Sequence, residues 1–440
     1  MTQSQRGEGQ GGGMKNKMKF IADLHLHSKY SRATSREMEV ETLSLWAKRK
    51  GIKLLGTGDF THPLYFLDLK SKLRPLGNGL LARPEDPEGT HFMLTAEVSN
   101  MFTQGGKGRR VHTLIFAPSL EVVERINARL GKLGKISSDG RPIFGFSAKD
   151  LVKMVLDISP DCLLIPAHAW TPWFSVFGAN SGFNSIAECF EEETKHIRAI
   201  ETGLSSDPEM NWRLSALDDI TLISNSDAHS PSRIGREANI FNCDLSYAAI
   251  AGAIRKKDPR KILFTIEFFP EEGKYHFDGH RNCKVLLAPQ ETRKNKGLCP
   301  VCGKRLTVGV MNRVEELADR PAGVISPKAI PALHMVPLDE IIANALGVGT
   351  NASSVGKEYL RLVEKGGSEF DILLELAPED LASFTPPLIL EGILRVRQGR
   401  LKIIPGYDGV FGKIEIFSSL EREKGPTPEE VGEVKQMKLL

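Results

Sequence analysis

Residues 20–35 read FIADLHLHSKYSRATS. Phe20, Ile21 and Ala22 form the short apolar run of a buried strand. The run ends in an acid, Asp23, then two imidazoles at i, i+2, His25 and His27, then a basic, hydroxyl-rich stretch. A strand that carries such groups to its end opens a site, and the pattern recurs. Asp59 and His62 follow IKLLGT, Glu97 closes FMLTAE, and His112 lies in VHTLIFAP. His168 ends CLLIPAH, Glu201 ends IRAIE, and Asp227 and His229 close ITLISNSDAH.

Amphipathic helical patterns at 40–50, 120–133, 148–158 and 246–257 separate these runs. Alternating strands and helices predict an α/β protein with a mostly parallel sheet. Their number predicts a distorted (β/α) barrel of seven or eight units over residues 19–269. In such a barrel the strand ends converge on one rim. Carboxylates and imidazoles gathered there are costly to bury alone. A multinuclear site for Zn²⁺, Mn²⁺ or Fe²⁺ satisfies them.

The chain has 440 residues, enough for several domains, with 41% hydrophobic and 26% charged residues, as in soluble globular proteins. A net charge of only +3 leaves any nucleic-acid affinity to local basic patches. No apolar run approaches the ~20 residues of a membrane helix. Residues 1–18, rich in Gly, Gln and Lys, read as a disordered tail without a secretory signal, and 426–440 as a frayed, charged tail. The six cysteines are few and three of them cluster, which points to a reducing, cytoplasmic setting and a metal knot.

That knot falls in residues 270–310, as DGHRNC followed by LCPVCGK. Cys283, Cys299 and Cys302, with His280 or His276 as the fourth ligand, fit a Cys₃His zinc ribbon. Cys162, Cys189 and Cys243 stand among apolar residues and read as core. Arg281, Lys284, Arg293, Lys304 and Arg305 surround the knot and suit contact with a nucleic-acid backbone. Residues 311–425 read as a mainly helical domain, with patterns at 338–346, 357–364 and 369–376. IIPGYDGVFGKI near its end reads as turns between short strands.

The motifs DLHLHS, TAEVS, VHTLIF, IPAHAW and SNSDAHSP resemble those of the polymerase and histidinol phosphatase (PHP) superfamily of metal-dependent phosphoesterases, over about residues 19–269. The resemblance implies a distorted (β/α)7 PHP barrel with up to three metals. His25 and His27 would hold one metal with Glu97 and Asp227. Glu97 would bridge to a second, completed by His112 and His168, and His229 would serve a third metal or the phosphate. Two positions depart from the superfamily pattern: Arg32 replaces an acid and Phe60 replaces a histidine. Either Asp59 and His62 substitute at the third site, or that site is weak or absent. Arg32 would then clamp a phosphate oxygen; a surface ion pair is its other reading.

The order of barrel, ribbon and helical domain, with DLHLHSKYSRATS, GTGDFTHP, SNSDAHSPSRIGREAN and DGHRNC…CPVCGK, resembles the endonuclease Q family across nearly all of the chain after residue 18. That family nicks DNA on the 5′ side of hypoxanthine, uracil, xanthine and abasic sites in DNA repair. The resemblance implies a metal-dependent endodeoxyribonuclease acting on damaged duplex DNA, with Asp227, His229 and Arg32 in the catalytic machinery. Zn²⁺ is expected in the ribbon and the barrel, with Mg²⁺ or Mn²⁺ open for catalysis. The protein is expected as a monomer, with a sliding clamp as a further partner. Arg109 and Arg110, in TQGGKGRR, would meet the phosphate chain. Trp170 and Trp173, in HAWTPWFSVFGANSGFNS, would stack an extruded base or form an apolar lid. Two competing readings are a PHP-type phosphomonoesterase for a small molecule and a non-catalytic DNA-binding scaffold. The survival of His25, His27, Glu97, His112, His168 and Asp227 argues against the scaffold.

Overall fold

In the computed structural model, which describes residues 19–424, the first strand, Lys19–Asp23, pairs in parallel with Leu54–Gly56. The two tails read from the sequence lie outside the described residues. Leu54–Gly56 pairs in parallel with Asp86–Gln104, which pairs antiparallel with Lys107–Ala117, itself antiparallel to Leu163–Pro166. The Ala169 amide then donates to the carbonyl of Glu201, in the strand Ala199–Glu201, and this strand pairs in parallel with Thr221–Ile223. The circle closes where the Leu24 amide donates to Asn225 Oδ1 at 2.9 Å and Leu26 bridges Ala228. These seven strands make a barrel that is distorted because its last seam rests on a side-chain amide and one bridge. Beyond the ring the sheet continues through Ala238–Asn242, Ile262–Glu267 and Ala332–His334.

The sheet is mixed, not mostly parallel. Gly105 and Gly106, at φ +60° and +73°, form the two-residue turn that suits the twist of a tight hairpin. Residues 86–117 therefore fold straight back as an antiparallel hairpin, where a mostly parallel sheet was expected. Glu97 accordingly lies inside a 19-residue strand and not at its end. Side chains alternate between the two faces of a strand. Glu97 shares its face with Met93, and His112 shares its face with Leu114 and Phe116. Those apolar residues join Phe20, Ala22, Leu24, Ile165 and Ile223 in the barrel interior. The polar pair thus caps an apolar plug.

Helices cover the outer faces at Val40–Lys50, Leu120–Gly131 and Ala148–Ile158, and Tyr247–Lys256 packs against the interior apolar set, all close to the sequence patterns. Ser119, Ser147 and Ser246 cap three of them by accepting hydrogen bonds from first-turn amides. Leu43, Ala47, Val123, Ile126, Leu151 and Val155 pack there in one core with Leu55, Phe92, Leu94 and Ile115. Further on, Asp278–His280 and Val285–Leu287 make a small hairpin. Helices Leu338–Leu346, Ser353–Gly366 and Pro387–Arg397 follow, and Lys402–Ile404 pairs with Lys413–Glu415. Among the described residues no helix is long and apolar enough to cross a membrane.

Candidate metal centre and nucleic-acid interface

Glu97 is the hub of the barrel rim. Its Oε2 lies 3.2 Å from His27 Nε2 and 3.7 Å from His25 Nε2. Its Oε1 lies 2.8 Å from His112 Nδ1 and 3.1 Å from His168 Nε2. Asp227 Oδ1 faces His27 Nε2 at 3.1 Å and His25 Nε2 at 3.6 Å. Three groups follow, each with ligand atoms within 4.8 Å of one another: His25–His27–Glu97, Glu97–His112–His168 and His27–Asp227–His229. The two carboxylate oxygens of Glu97 serve different groups.

The donor set fits divalent cations. His25 Nε2, His27 Nε2 and Asp227 Oδ1 are buried without hydrogen-bond partners, and they converge. Each histidine is oriented from behind. His25 Nδ1–H donates to Glu201 at 3.0 Å and His27 Nδ1–H to Asp59 at 3.0 Å, which leaves both Nε2 lone pairs facing inward. The His168 ring is held through Nδ1 by Thr171 Oγ1 at 3.1 Å. Burial opposes a charge on His25 and His27, yet Glu201 and Asp227 around the first, and Asp59 around the second, raise both well above the ordinary histidine range. The same excess of carboxylate field would attract a cation. Burial pushes His112 down to about 4 and keeps it a neutral donor. Burial also opposes the charge on Glu97, but the Arg141 guanidinium and the hydrogen bonds of His112 and His168 outweigh it and hold the carboxyl well below its usual range.

Backbone strain marks the same places. Asp59, His168 and Asp227 adopt φ of +42°, +31° and +48°, a region that non-glycine residues seldom enter. These turns swing side chains from strand ends toward the rim.

Several candidates stand elsewhere. Asp59 holds His27 and accepts from the Ser28 amide at 2.6 Å, so it orients a ligand and does not join the three groups. His62 stacks on Tyr30 at 4.4 Å between centroids, outside those groups. Arg32 is 82% exposed and pairs with Asp139 at 3.3 Å, which fits its reading as a surface ion pair. Trp170 is buried and donates its indole N–H to Asn211, so it is core and no stacking platform. Arg109 is committed to the Gly182 carbonyl and lies over the Phe183 ring. Two residues of the site escaped the sequence reading. Glu201, seen at a strand end, was given no role. Arg141, which reaches Glu97 Oε2 at 2.9 Å, comes from a loop that carries no periodic signal.

Beside the rim runs a groove of about 590 Å³ lined by Arg110, Thr171, Trp173, Phe174, Tyr275 and His276, among others. Phe174 packs on His112 with centroids 4.8 Å apart, which joins the groove to the metal donors. Trp173, 43% exposed, meets Tyr275 edge-on, and Arg110 lies 5.4 Å from the Phe174 ring. Further along the chain, His280, Cys283, Cys299 and Cys302 form the fourth group. His280 is the histidine of that group; His276 is buried and lines the groove instead. Gly303, at φ +73°, donates its amide to the Cys299 carbonyl and tightens the knuckle. Lys304 and Arg305 are exposed beside it.

Comparison with known proteins follows the same outline. Residues 337–400 match the family described as the MJ0043 C-terminal domain. The uncharacterized protein YqxK of Bacillus subtilis is 31% identical over 417 residues, 90% of this chain and 99% of its own length. The lesion-specific endonuclease PfuEndoQ of Pyrococcus furiosus superposes with a TM-score of 0.83 at 33% identity, covering 94% of this chain and 98% of that one. A structure of endonuclease Q with a 27-mer duplex substrate carrying an abasic lesion at the active site gives a TM-score of 0.81 at 32% identity, over 94% of this chain and 100% of that one. With a likeness that spans both chains almost end to end, this chain belongs to the endonuclease Q family.

Proposed function

We propose that this chain is a metal-dependent endonuclease that nicks duplex DNA beside deaminated bases and abasic sites. The observation that carries the reading is the pair of buried donor groups sharing Glu97. The DNA substrate follows from the solved relatives: one is a lesion-specific endonuclease and the other holds a duplex with an abasic lesion. His25, His27, Glu97 and Asp227 would hold one divalent cation, and Glu97, His112 and His168 a second. Such cations activate water at neutral pH and stabilise charge on the phosphate oxygens. Glu201 and Asp59 keep the imidazoles in the ligating tautomer. His229, a third exposed and 3.7 Å from Asp227, stands where the phosphate would arrive. In the reaction water adds to phosphorus and one P–O ester bond breaks, with the proton passing to the departing oxygen. Damaged bases pair weakly and are cheap to extrude. The groove beside Phe174, with Trp173 and Tyr275, would receive one. The Cys₃His group would hold a structural Zn²⁺.

Serine catalysis finds no support. Ser224 Oγ donates to the Ile266 carbonyl and Ser226 Oγ lies on the His25 carbonyl, so neither faces His229.

The test is a panel of end-labelled duplexes carrying inosine, uracil or an abasic site, with Mg²⁺, Mn²⁺ or Zn²⁺. Nicking of the damaged strand alone is expected, and Asp227→Ala should abolish it while binding persists. Intact duplexes alongside hydrolysis of a small phosphomonoester would overturn the reading.

A further inference from the structure

Arg32 was the expected phosphate clamp, yet it points to solvent. A different cation occupies the rim. Arg141 Nη1 donates to Glu97 Oε2, the oxygen that also faces His25 and His27. Its side chain is 28% exposed, and no other side-chain hydrogen bond holds the guanidinium among the described residues. One nitrogen of the fork is therefore spent on Glu97, while the others make no side-chain hydrogen bond among the described residues and the side chain keeps some access to solvent.

The loop that carries Arg141 is built to hold it there. The Gly140 amide donates to the Tyr30 carbonyl at 3.1 Å, and Thr61 Oγ1 donates to the Gly140 carbonyl at 3.0 Å. On the other side the Ser99 amide donates to the Pro142 carbonyl at 3.0 Å. The backbone is thus pinned on both flanks of Arg141 by segments of the barrel rim. Any side chain at Gly140 would collide with the Asp59 carboxylate and the Ser31 hydroxyl, so the loop lies directly against the group that orients His27. Arg32, through Asp139, braces the same loop from outside. A surface arginine would need no such mounting.

We propose that Arg141 is a catalytic residue that holds a non-bridging oxygen of the scissile phosphate. A guanidinium is the planar donor suited to phosphate oxygens. A cation bound at Glu97 Oε2 would compete with Arg141 for that oxygen and free its fork for the substrate. Arg141 thus supplies, at a fixed point, positive charge toward the anionic transition state. The proposal rests on the phosphodiesterase reading given above.

The experiment compares wild type, Arg141→Ala, Arg141→Gln and Arg141→Lys as full-length, metal-loaded proteins. Circular dichroism and elemental analysis select those variants that keep fold and metal content. Affinity is measured by fluorescence anisotropy for lesion duplexes with either a phosphate or a neutral methylphosphonate at the scissile linkage. Wild type should lose affinity on neutralisation, whereas the Ala or Gln variant should show little difference between the two duplexes. Turnover of the Ala and Gln variants should fall on the order of 10²–10³-fold, chiefly in kcat. Lys should restore part of it. If wild type nicks lesion duplexes but the variants keep both the turnover and the full phosphate–methylphosphonate difference, Arg141 has no such role and the endonuclease reading stands. If wild type leaves lesion duplexes intact, the endonuclease reading falls first.

Discussion

At the scale of single residues, the rim separates groups that could ligate a cation from groups that aim them. His27 presents Nε2 to the centre only because Asp59 receives its Nδ1–H, and Asp59 is itself fixed by the Ser28 amide, the Ser28 hydroxyl and the Ser31 hydroxyl. Asp59→Asn keeps the shape but turns an amide against those donors. Metal affinity should drop about 10–100-fold, read by titrating the apoprotein calorimetrically, with the fold unchanged by circular dichroism. An unchanged affinity would make Asp59 a bystander. The candidate ligands were legible because imidazoles and acids beside apolar runs are unusual. Which of them ligates and which aims was not, since Asp59 and Glu97 look alike in sequence. Arg141 was invisible for a different reason. It belongs to an irregular loop, where neither period nor cap says which way a side chain points.

At the scale of elements, helices were the clearest part of the sequence. Val40–Lys50 and Ala148–Ile158 begin and end where the apolar period does, and a Ser-x-x-Asp cap opens the second. Short strands were legible as runs but their directions were not, because a run of apolar residues carries no sign. Gly105-Gly106 held that information for the long hairpin. The strand Ala332–His334 was read as part of a helical region; its pairing with Ile262–Glu267 depends on partners some seventy residues upstream. The rim loop at 132–142 shows how one element sets the site. Gly140→Ala places a methyl group against Asp59 and Ser31. Either the loop lifts, carrying Arg141 off Glu97, or Asp59 shifts and releases His27. The first route should lower turnover with metal binding kept, and the second should weaken metal binding as well; in either case turnover falls about tenfold or more, while helical content stays constant. Wild-type kinetics in this variant would mean that the loop floats free of the rim.

Across the whole molecule, the helical C-terminal domain is seated on the helix that follows the first barrel strand. Glu369 forms the join. Its Oε2 receives Lys50 Nζ at 2.8 Å and the Tyr359 hydroxyl at 2.7 Å, and its Oε1 receives the Leu338 amide at 3.1 Å. Both charged side chains are buried, at 3% and 5% exposure, so neither can fall back on water. Around them Ile52 and Phe370 pack in the same core as Leu43 and Ala47. A buried pair adds little over a well-packed apolar one, but removing one partner strands the other charge. Glu369→Ala should therefore destabilise the protein by about 3–5 kcal/mol, read as a shift of the urea transition. Adding Lys50→Met should recover only part of that loss, because Tyr359 and the Leu338 amide still lack an acceptor. By contrast Lys19–Glu375 joins the same two regions at the surface, 2.9 Å apart with both ends exposed to solvent. Glu375→Ala should cost less than about 1 kcal/mol. Equal effects of the two substitutions would mean that the domains are held by packing alone and that the buried knot contributes nothing specific to their arrangement.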